Sequence, residues 1–490
     1  MSVVIPTRSH LGRWRELFLC ILVLIIGIGG YALLWKGLGE KGLPANFVLI
    51  SSLSTCAVLG THILLRFFAP HANPVFFPSA LALNALGLVM IYRIDQSNNE
   101  TNAHTQLIAT CIGLICCIIT VATVRNYRIL RSYKWTSLVA GIIFLLLPLS
   151  PLGVTLYGSR LWIRLAGFSF QPAEIAKIFF AVFFAAYLVT ERDNLSLAGP
   201  KILGIRFPKG RHILPILLAW GLSMVVLVFQ KDFGTALLFF GLFVAILWVA
   251  TERLSWLIIG GILTLAGVIF IATNVSHVRA RFNIWLDAFN PDLYNAKGGS
   301  YQVVQGLFGM GSGGLFGTGL GEGYPGIVFA AHSDYIYTSF AEELGLVGVL
   351  AILCIYLLLL SRGMRVALTA KDGFSKLLAA GLSFGLALQC FIVIGGVTRV
   401  IPLTGLALPF LAHGGSALIA NWIIIGLLIR MSDTARRPAQ AVALPTTDEL
   451  ERINIIDEDS AAFSSPIVSS SDVLKDGPHN SGQETEVVKL

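Results

Sequence analysis

Twelve apolar runs, separated by polar connections, constrain the fold of this chain more than any other feature. Most are roughly 17 to 25 residues long, the length a helix needs to cross a bilayer, where only helices or closed barrels satisfy their backbone groups. With 55% hydrophobic and 13% charged residues, the chain is too apolar for one water-soluble core. We therefore predict an all-α polytopic membrane protein. The predicted spans are residues 17–35, 46–65, 77–94, 106–124, 135–150, 172–190, 213–229, 234–250, 256–273, 336–361, 377–398 and 405–430.

The distribution of Lys and Arg among the connections predicts the orientation of the spans. Basic residues in short loops tend to stay in the cytoplasm, and they are more frequent in the connections that a cytoplasmic N-terminus places inside. This orientation puts both termini in the cytoplasm and the longest internal polar segment, residues 274–335, outside. The net charge of +8 belongs to this topology, because the basic residues form no single stripe that would bind nucleic acid.

Three regions follow from the hydropathy. Residues 1–76 hold a basic arm and two spans, residues 77–431 hold the other ten, and residues 432–490 are predicted to be a disordered cytoplasmic tail because they have little apolar content. The seven cysteines fall inside apolar spans without metal-ligand spacing, which indicates packing residues. Asn84, inside span three, is expected to hydrogen-bond a neighbouring helix.

Ionisable residues near the ends of apolar spans are candidates for function. Glu174 and Lys177 lie three residues apart at the start of span six, so they share a helix face and are able to pair. The pair is either structural or part of a polar cavity. Asp232, between spans seven and eight, is either a turn former or a member of the same cavity.

The segment 274–335 is the most unusual part of the chain. Ten glycines fall within Gly306–Gly326, but the run lacks the Gly-Lys-Ser/Thr of a phosphate-binding loop, and such glycines more often indicate close backbone packing. Asp334 follows at the start of span ten, where the helix N-terminus would lower its pKa while burial and Glu342–Glu343 would raise it. His332 with Asp334 gives only two ligands, which make a weak metal site.

The last apolar run contains Pro409 and paired glycines before Ser416. This pattern favours a broken helix that lines a cavity, with ordinary helix packing as the alternative. Arg399 lies in the outer loop just before it.

Eight short motifs occur in order and on one predicted face of the membrane. They are Trp162, Phe170-Gln-Pro-Ala-Glu-Ile-Ala-Lys177, Asp232-Phe-Gly-Thr235, Tyr301-Gln302, Gly311-Ser-Gly-Gly314, His332-Ser-Asp-Tyr335, Glu342-Glu-Leu-Gly345 and Pro409-Phe-Leu-Ala-His-Gly-Gly-Ser416. Together they resemble the SEDS family (shape, elongation, division and sporulation) over residues 77–431. The two additional N-terminal spans are similar to those of actinobacterial members. This chain has Leu161 where the family usually has Arg before the Trp, and His413 where it usually has Tyr.

The resemblance implies a peptidoglycan glycosyltransferase that polymerises lipid II outside the cytoplasmic membrane, with Asp334 as its essential carboxylate and general base. Cations would face the pyrophosphate leaving group, and a divalent ion, Mg²⁺ or Mn²⁺, would be able to share that role, although no motif specifies one. The substrate-binding residues implied are Glu174, Lys177, Asp232, Trp162, Arg160, Arg164, Arg399 and Ser416.

The expected partners are lipid II, membrane lipids and a class B penicillin-binding protein with transpeptidase activity. The main alternative is a flippase or transporter of the same lipid-linked precursor, for which polar groups near the membrane midplane would be expected. A role in cell division, in place of elongation and shape maintenance, also remains open from the sequence.

Overall fold

The structure, a computed structural model, describes residues 9–39, 41–44, 46–156, 159–165, 168–196, 201–202, 205–206 and 210–437. The helices are α1 (Ser9–Gly37), α2 (Phe47–Phe68), α3 (Phe76–Asn98), α4 (Asn102–Thr123), α5 (Lys134–Leu146), α6 (Pro172–Ser196), α7 (Gly210–Gln230), α8 (Phe233–Thr251), α9 (Ser255–Asn274), α10 (Ser276–Leu286), α11 (Pro291–Asn295), α12 (Tyr301–Gly313), α13 (Ile336–Thr369), α14 (Gly373–Val397) and α15 (Gly415–Arg436). The strands are β1 (Gly153–Leu156), β2 (Ser159–Leu165), β3 (Phe168–Phe170), β4 (Lys201–Ile202) and β5 (Ile205–Arg206).

The predicted fold class is confirmed: the chain is a polytopic helical membrane protein. Among the described residues, eleven helical segments are long and apolar enough to cross a membrane, and a shorter apolar helix covers Leu214–Gln230. Each of the twelve predicted spans overlaps one of these helices. In span five, α5 is flanked by the 3₁₀ segments Tyr127–Tyr133 and Leu147–Leu149, which bring that span to the required length.

The last span begins ten residues later than residue 405. Residues 402–414 form an irregular segment instead, and α15 starts at Gly415. Pro409 disfavours helical geometry at Leu408, and Phe410 adopts a left-handed φ of 66°. The structure thus agrees better with a broken helix before Ser416 than with a continuous span from residue 405.

Helix α15 also ends later than predicted. It continues to Arg436, and its Asp433 is buried and accepts a hydrogen bond from the backbone N–H of His71 at 2.8 Å. Residues 432–436 therefore belong to the helical bundle and not to the tail. Residues 438–490, for which the sequence predicts disorder, lie outside the described residues.

Four helices form the centre of the bundle. In α15, 83% of the span is buried inside the protein, and in α3, α6 and α14 the share is 72%, whereas in α9 it is only 6%. α15 packs along α4, α6 packs against α5, and α13 packs against α14. The central helices carry several buried ionisable residues, among them Arg93, Glu174, Lys177, Arg430 and Asp433, which agrees with the rule that ionisable groups in spans face the interior.

The glycine-rich run is bound tightly to a break in α13. We call residues 313–324 the glycine strap. Its Thr318 and Gly319 donate backbone hydrogen bonds to the carbonyls of Glu342 and Glu343 at 2.9 and 3.1 Å. Gly345, at φ 68°, interrupts the helix there. The expectation that these glycines serve close backbone packing is confirmed.

Arg93 of α3 connects the glycine strap to the core. Its guanidinium forms an ion pair with Glu343 at 2.8 Å and donates to the carbonyls of Gly321 and Gly323 at 3.1 and 2.6 Å. The other Glu343 oxygen accepts the Gly321 N–H at 3.0 Å, and Glu342 accepts the Tyr324 N–H at 2.7 Å. The side chains of Glu342 and Glu343 thus bind backbone amides of the glycine strap.

Asn84 does not bond a neighbouring helix. Its side chain is 1% exposed, and neither amide atom has a hydrogen-bond partner. The prediction of an interhelical hydrogen bond was therefore wrong, because α1 and α2 leave a gap beside α3 at this level.

We expect Gly317→Ala to lower the melting temperature of the purified protein. A Cβ at Gly317 would lie 2.2 Å from the Glu343 carbonyl oxygen, and its φ of 84° is unfavourable for alanine. Strain of this kind destabilises by roughly 1–3 kcal/mol. Gly311→Ala is the matched control, because nothing lies within 4 Å of a Cβ there. Equal melting temperatures for the two variants would contradict the packing described for the strap.

Candidate active site

A three-stranded antiparallel sheet holds the first group of predicted site residues. Val154 of β1 pairs with Trp162 of β2, and Ser169 of β3 pairs with Arg164. Arg160 donates to the Ser150 carbonyl at 2.8 Å, and Trp162 is partly buried, whereas Arg164 is exposed. The sheet packs against α6, α7 and α15, so these three residues lie at the bundle end where α6 begins.

The predicted ion pair at the start of α6 is confirmed. Lys177 contacts Glu174 at 2.7 Å, with both side chains buried. Lys177 also donates to Gln389 of α14 at 3.0 Å, and Gln389 donates to the Ala407 carbonyl at 2.9 Å. The pair therefore forms part of a polar network that reaches the irregular segment 402–414.

Asp232 has the local structural role that the sequence allowed for it. It caps α8 by accepting from the Thr235 N–H at 3.0 Å and from the Thr235 hydroxyl at 2.7 Å. Burial raises the pKa of Asp232, the Thr235 hydrogen bonds lower it, Glu174 raises it and Arg281 lowers it. Asp232 thus lies within electrostatic range of both α6 and α10.

Asp334 lies beside an arginine that sequence reasoning had not selected. Burial raises the pKa of Asp334 to about 6, against the opposing effects of Arg281 and a hydrogen bond from Ser333. A Cβ at Gly405 would be 3.8 Å from both Asp334 Oδ2 and Arg281 Nη2, so both charged groups face this glycine. The Glu342–Glu343 pair is not among these influences, because it binds the strap.

Arg281 is held in place by the irregular segment. It donates to the carbonyls of Leu403 and Thr404 at 3.2 and 3.0 Å. Thr404 also packs close to Gly234 in the first turn of α8. Arg279 and Arg281 lie two residues apart and look equivalent in the sequence. They differ in the structure because residues 402–405 pass beside Arg281 and accept its hydrogen bonds.

Arg399 is engaged with α10. It donates to the carbonyls of Trp285 and Leu286, both at 2.8 Å, and stacks over Phe289 at 5.6 Å. A cation at the carboxyl end of a helix interacts favourably with the helix dipole. Arg399 therefore positions the helix that carries Arg281, and its guanidinium is largely occupied by these contacts.

Ser416 is buried in the first turn of α15. Just before it, the His413 N–H donates to the His332 carbonyl at 2.8 Å, and the two imidazole rings meet edge to face at 5.4 Å. Burial and the nearby His332 lower the pKa of His413 to about 4. These contacts tie the Ser416 turn to the segment that carries Asp334.

The residues present do not fit a resident metal. Within the part of the chain that the structure describes, no group of three or more His, Cys, Asp and Glu side chains is placed to hold an ion. The carboxylates of Glu174, Asp232 and Asp334 are instead compensated by Lys177 and Arg281. We assign no chemical step to Mg²⁺ or Mn²⁺.

The arrangement is suited to proton abstraction next to an anionic leaving group. A partly buried carboxylate with a pKa of about 6 is mostly ionised at neutral pH and still basic enough to accept a proton. Cationic side chains on α6, α10 and β2 lie at the same end of the bundle. The sequence analysis selected Asp334, Glu174, Lys177 and Asp232 as site residues but not Arg281, whose charge acts on both Asp232 and Asp334.

Comparison with known proteins gives consistent similarities. The family model of the FtsW/RodA/SpoVE cell cycle proteins matches residues 74–437. The peptidoglycan glycosyltransferase RodA of Mycobacterium leprae (strain TN) is 42% identical over 405 residues, covering 80% of this chain and 86% of the relative. The protein of the same name from Mycobacterium tuberculosis (strain ATCC 25618 / H37Rv) is 40% identical over 465 residues, which cover 92% of this chain and 97% of the relative.

Two solved structures are also similar. One is a chain from a structure on the coordination of polymerization and crosslinking by a peptidoglycan synthase complex, with 25% identity and a TM-score of 0.59. It covers 74% of this chain and 97% of its own length. The rod shape-determining protein RodA of Thermus thermophilus has 25% identity and a TM-score of 0.51. The match covers 74% of this chain and 96% of the Thermus chain.

We expect Lys177→Met to destabilise the protein more than the double variant Glu174→Gln/Lys177→Met does. The single variant leaves Glu174 as an uncompensated buried charge, which costs about 3–5 kcal/mol, while the double variant removes both charges. Thermal unfolding of the purified proteins measures the difference. A double variant at least as unstable as the single one would contradict a compensated buried pair.

Proposed function

The chain belongs to the FtsW/RodA/SpoVE family, as its motifs predicted, and from this premise we propose that it polymerises lipid II into glycan strands. It is a peptidoglycan glycosyltransferase, which is the activity named for its mycobacterial relatives. The observation that carries the proposal is the placement of Asp334 and Arg281 around Gly405, at the bundle end that also holds the Glu174–Lys177 pair.

Asp334 is the general base of the proposed reaction. It accepts the proton of a sugar hydroxyl while that oxygen attacks the anomeric carbon of a second sugar. The bond from this carbon to the polyprenyl pyrophosphate breaks, and the leaving group takes the electron pair. A catalytic base is most effective when its pKa lies near the working pH, which a value of about 6 approaches.

Arg281 has two functions in this scheme. Its charge keeps Asp334 ionised despite burial, because it opposes the desolvation that raises the pKa. It also contributes positive potential where the pyrophosphate develops charge. Lys177, Arg160 and Arg164 supply further cations for the leaving group, and Arg399 acts by holding α10.

The remaining substrate-binding residues complete the cavity. Glu174 and Asp232 balance Lys177 and Arg281, so that the cations retain fixed positions in an apolar protein. Trp162 offers an aromatic face of the kind that packs against sugars and lipid, and Ser416 offers a hydroxyl beside β3.

The active site lies on the outer face of the cytoplasmic membrane in our proposal, with both termini in the cytoplasm. The excess of Lys and Arg in the opposite connections supports this orientation. The polyprenyl tail of the substrate then lies between spans, which explains why the protein is almost entirely embedded in the membrane.

A class B penicillin-binding protein is the proposed partner, and cell elongation is the proposed context. The similarity to a chain of a complex that combines polymerization with crosslinking supports such a partnership. The identity to proteins named RodA supports elongation over division.

We expect Asp334→Asn to reduce polymerisation of labelled lipid II by about 10²–10⁴, which is the contribution of a general base. The wild-type rate falls as the pH drops through about 6, because protonation removes the base. Gel separation of glycan chains at several pH values measures both effects. Asp292→Asn, an exposed carboxylate of the same loop, is the matched control and retains wild-type activity.

Two outcomes would contradict the proposal in different ways. Equal chain formation by wild type and Asp334→Asn would remove Asp334 as the base but keep the activity. If the wild type, with its penicillin-binding protein partner, forms no chains but moves lipid II across vesicle membranes, the flippase interpretation replaces it.

We expect Arg281→Gln to move the acidic limb of the rate profile upward by about one pH unit, because the charge that lowers the pKa of Asp334 is lost. Arg281→Lys keeps the charge and restores most of the shift. Arg279→Gln is the control, since Arg279 lies two residues away and is not among the groups that shift the pKa of Asp334. An unchanged midpoint in Arg281→Gln would show that Arg281 does not act on the base.

A further inference from the structure

A cavity of about 320 Å³ lies between α1, α2, α3 and α4, apart from the proposed active site. Its walls are mostly aliphatic, with Leu24, Leu88, Leu107 and Leu114 among them. Its volume falls at the lower end of the range for ligand pockets. The additional N-terminal helices thus form one side of a chamber whose other side is the family core.

The cavity follows the depth of one membrane leaflet. On α2 it extends from Asn46 to Val58, and on α4 it extends from Ala103 to Leu114. At 1.5 Å per residue, these stretches correspond to roughly 16–18 Å, slightly more than half of a ~30 Å hydrocarbon core. A pocket of this length and polarity fits a hydrocarbon chain that runs parallel to the helices.

Polar atoms without partners line the same cavity. Both amide atoms of Asn84 are buried and unbonded, and so is the hydroxyl oxygen of Ser51. Buried amides and hydroxyls in proteins are nearly always hydrogen-bonded, so two such groups in one chamber point to a bound molecule with an oxygen function. Tyr31 and Tyr92, in edge contact at 4.8 Å, lie nearer the outer end.

We propose that this cavity binds one membrane lipid. A hydrocarbon chain of the lipid packs against the leucine-rich walls, and an oxygen of its ester, hydroxyl or carbonyl group bonds the Asn84 amide and the Ser51 hydroxyl. Both glycerophospholipids and polyprenyl lipids offer a chain with oxygen groups, so the experiment must distinguish them.

The lipid site is separate from the chemistry of Asp334. The α3–α4 hairpin presents Asn84 and Leu107 to the cavity, while its other side carries Arg93, which binds Glu343, and Thr105, which contacts His413 at 3.0 Å. The lipid proposal therefore does not depend on the proposed function, and its test does not measure polymerisation.

The test is photo-crosslinking of the full-length protein in vesicles of phosphatidylethanolamine and phosphatidylglycerol. One arm carries phosphatidylglycerol with a diazirine in its acyl chain, and the other carries a polyprenyl phosphate with a diazirine in its chain. We expect labelling of the cavity-facing residues Leu107, Cys111 and Leu114 in one arm, which identifies the lipid. Labelling restricted to outward-facing residues such as Ile108 and Ile115 in both arms would overturn the proposal.

A pair of variants at one depth distinguishes a bound lipid from surrounding lipid. Leu107→Trp fills the cavity and is expected to lower cavity labelling about tenfold or more. Ile108→Trp is the matched control, because Ile108 is 46% exposed on the outer side of the same turn. Equal labelling of the cavity residues in both variants, at unchanged melting temperatures, would refute a bound chain.

Asn84→Leu tests the oxygen contact at nearly constant volume. We expect lipid retained by the purified protein, measured by native mass spectrometry, to fall about tenfold, as for the loss of one or two hydrogen bonds. Asn84→Ser, which keeps a donor, restores part of the binding. If Asn84→Leu retained as much lipid as the wild type, the Asn84 amide would bind only water, and the proposed hydrogen bond to the lipid oxygen would be overturned.

Discussion

Compensation of buried charge is the constraint on which the rest of this structure depends. An isolated charge at the centre of a membrane helix is costly, so each one in the bundle requires a partner. Arg93 with Glu343 fastens the glycine strap, and Glu174 with Lys177 fastens α6 to α14. Asp334 and Arg281 both face Gly405, each 3.8 Å from the position of a Cβ there. The first pair holds the strap that precedes Asp334, and the network of the second reaches the segment 402–414, which also binds Arg281.

The sequence predicted what depends on local composition. Spans follow from hydropathy, and the Glu174–Lys177 pair follows from a three-residue spacing on one helix, so both were correct. Arg281 escaped prediction because its position depends on the carbonyls of residues 403–404, more than a hundred positions away. The assignment of Glu342–Glu343 to Asp334 failed for the same reason: Arg93 and the strap amides, remote in sequence, use those carboxylates.

The histidine at position 413 illustrates how a departure from the family pattern is accommodated. The motif that the chain resembles has a Tyr at this position. In this chain, the His413 Nε2 contacts the Thr105 hydroxyl at 3.0 Å, and its backbone binds the His332 carbonyl. The irregular segment 402–414 is thus still joined to the residues just before Asp334. In this chain the junction is made by the His413 backbone and imidazole without a tyrosine ring.

Helix α3 contacts the glycine strap and the lipid chamber through opposite faces. One face carries Arg93, which holds the strap, and the other carries Asn84, which lines the lipid chamber. The carboxyl end of α1 also contacts the strap, because a Cβ at Gly37 would lie 2.3 Å from the Leu320 carbonyl oxygen. α1 also packs directly against α3, where a Cβ at Gly27 would lie 3.2 Å from the Ala85 Cβ, so these two helices hold the strap together. The N-terminal helices are then a structural support of the loop region that borders Asp334, and their removal would release the strap from one side.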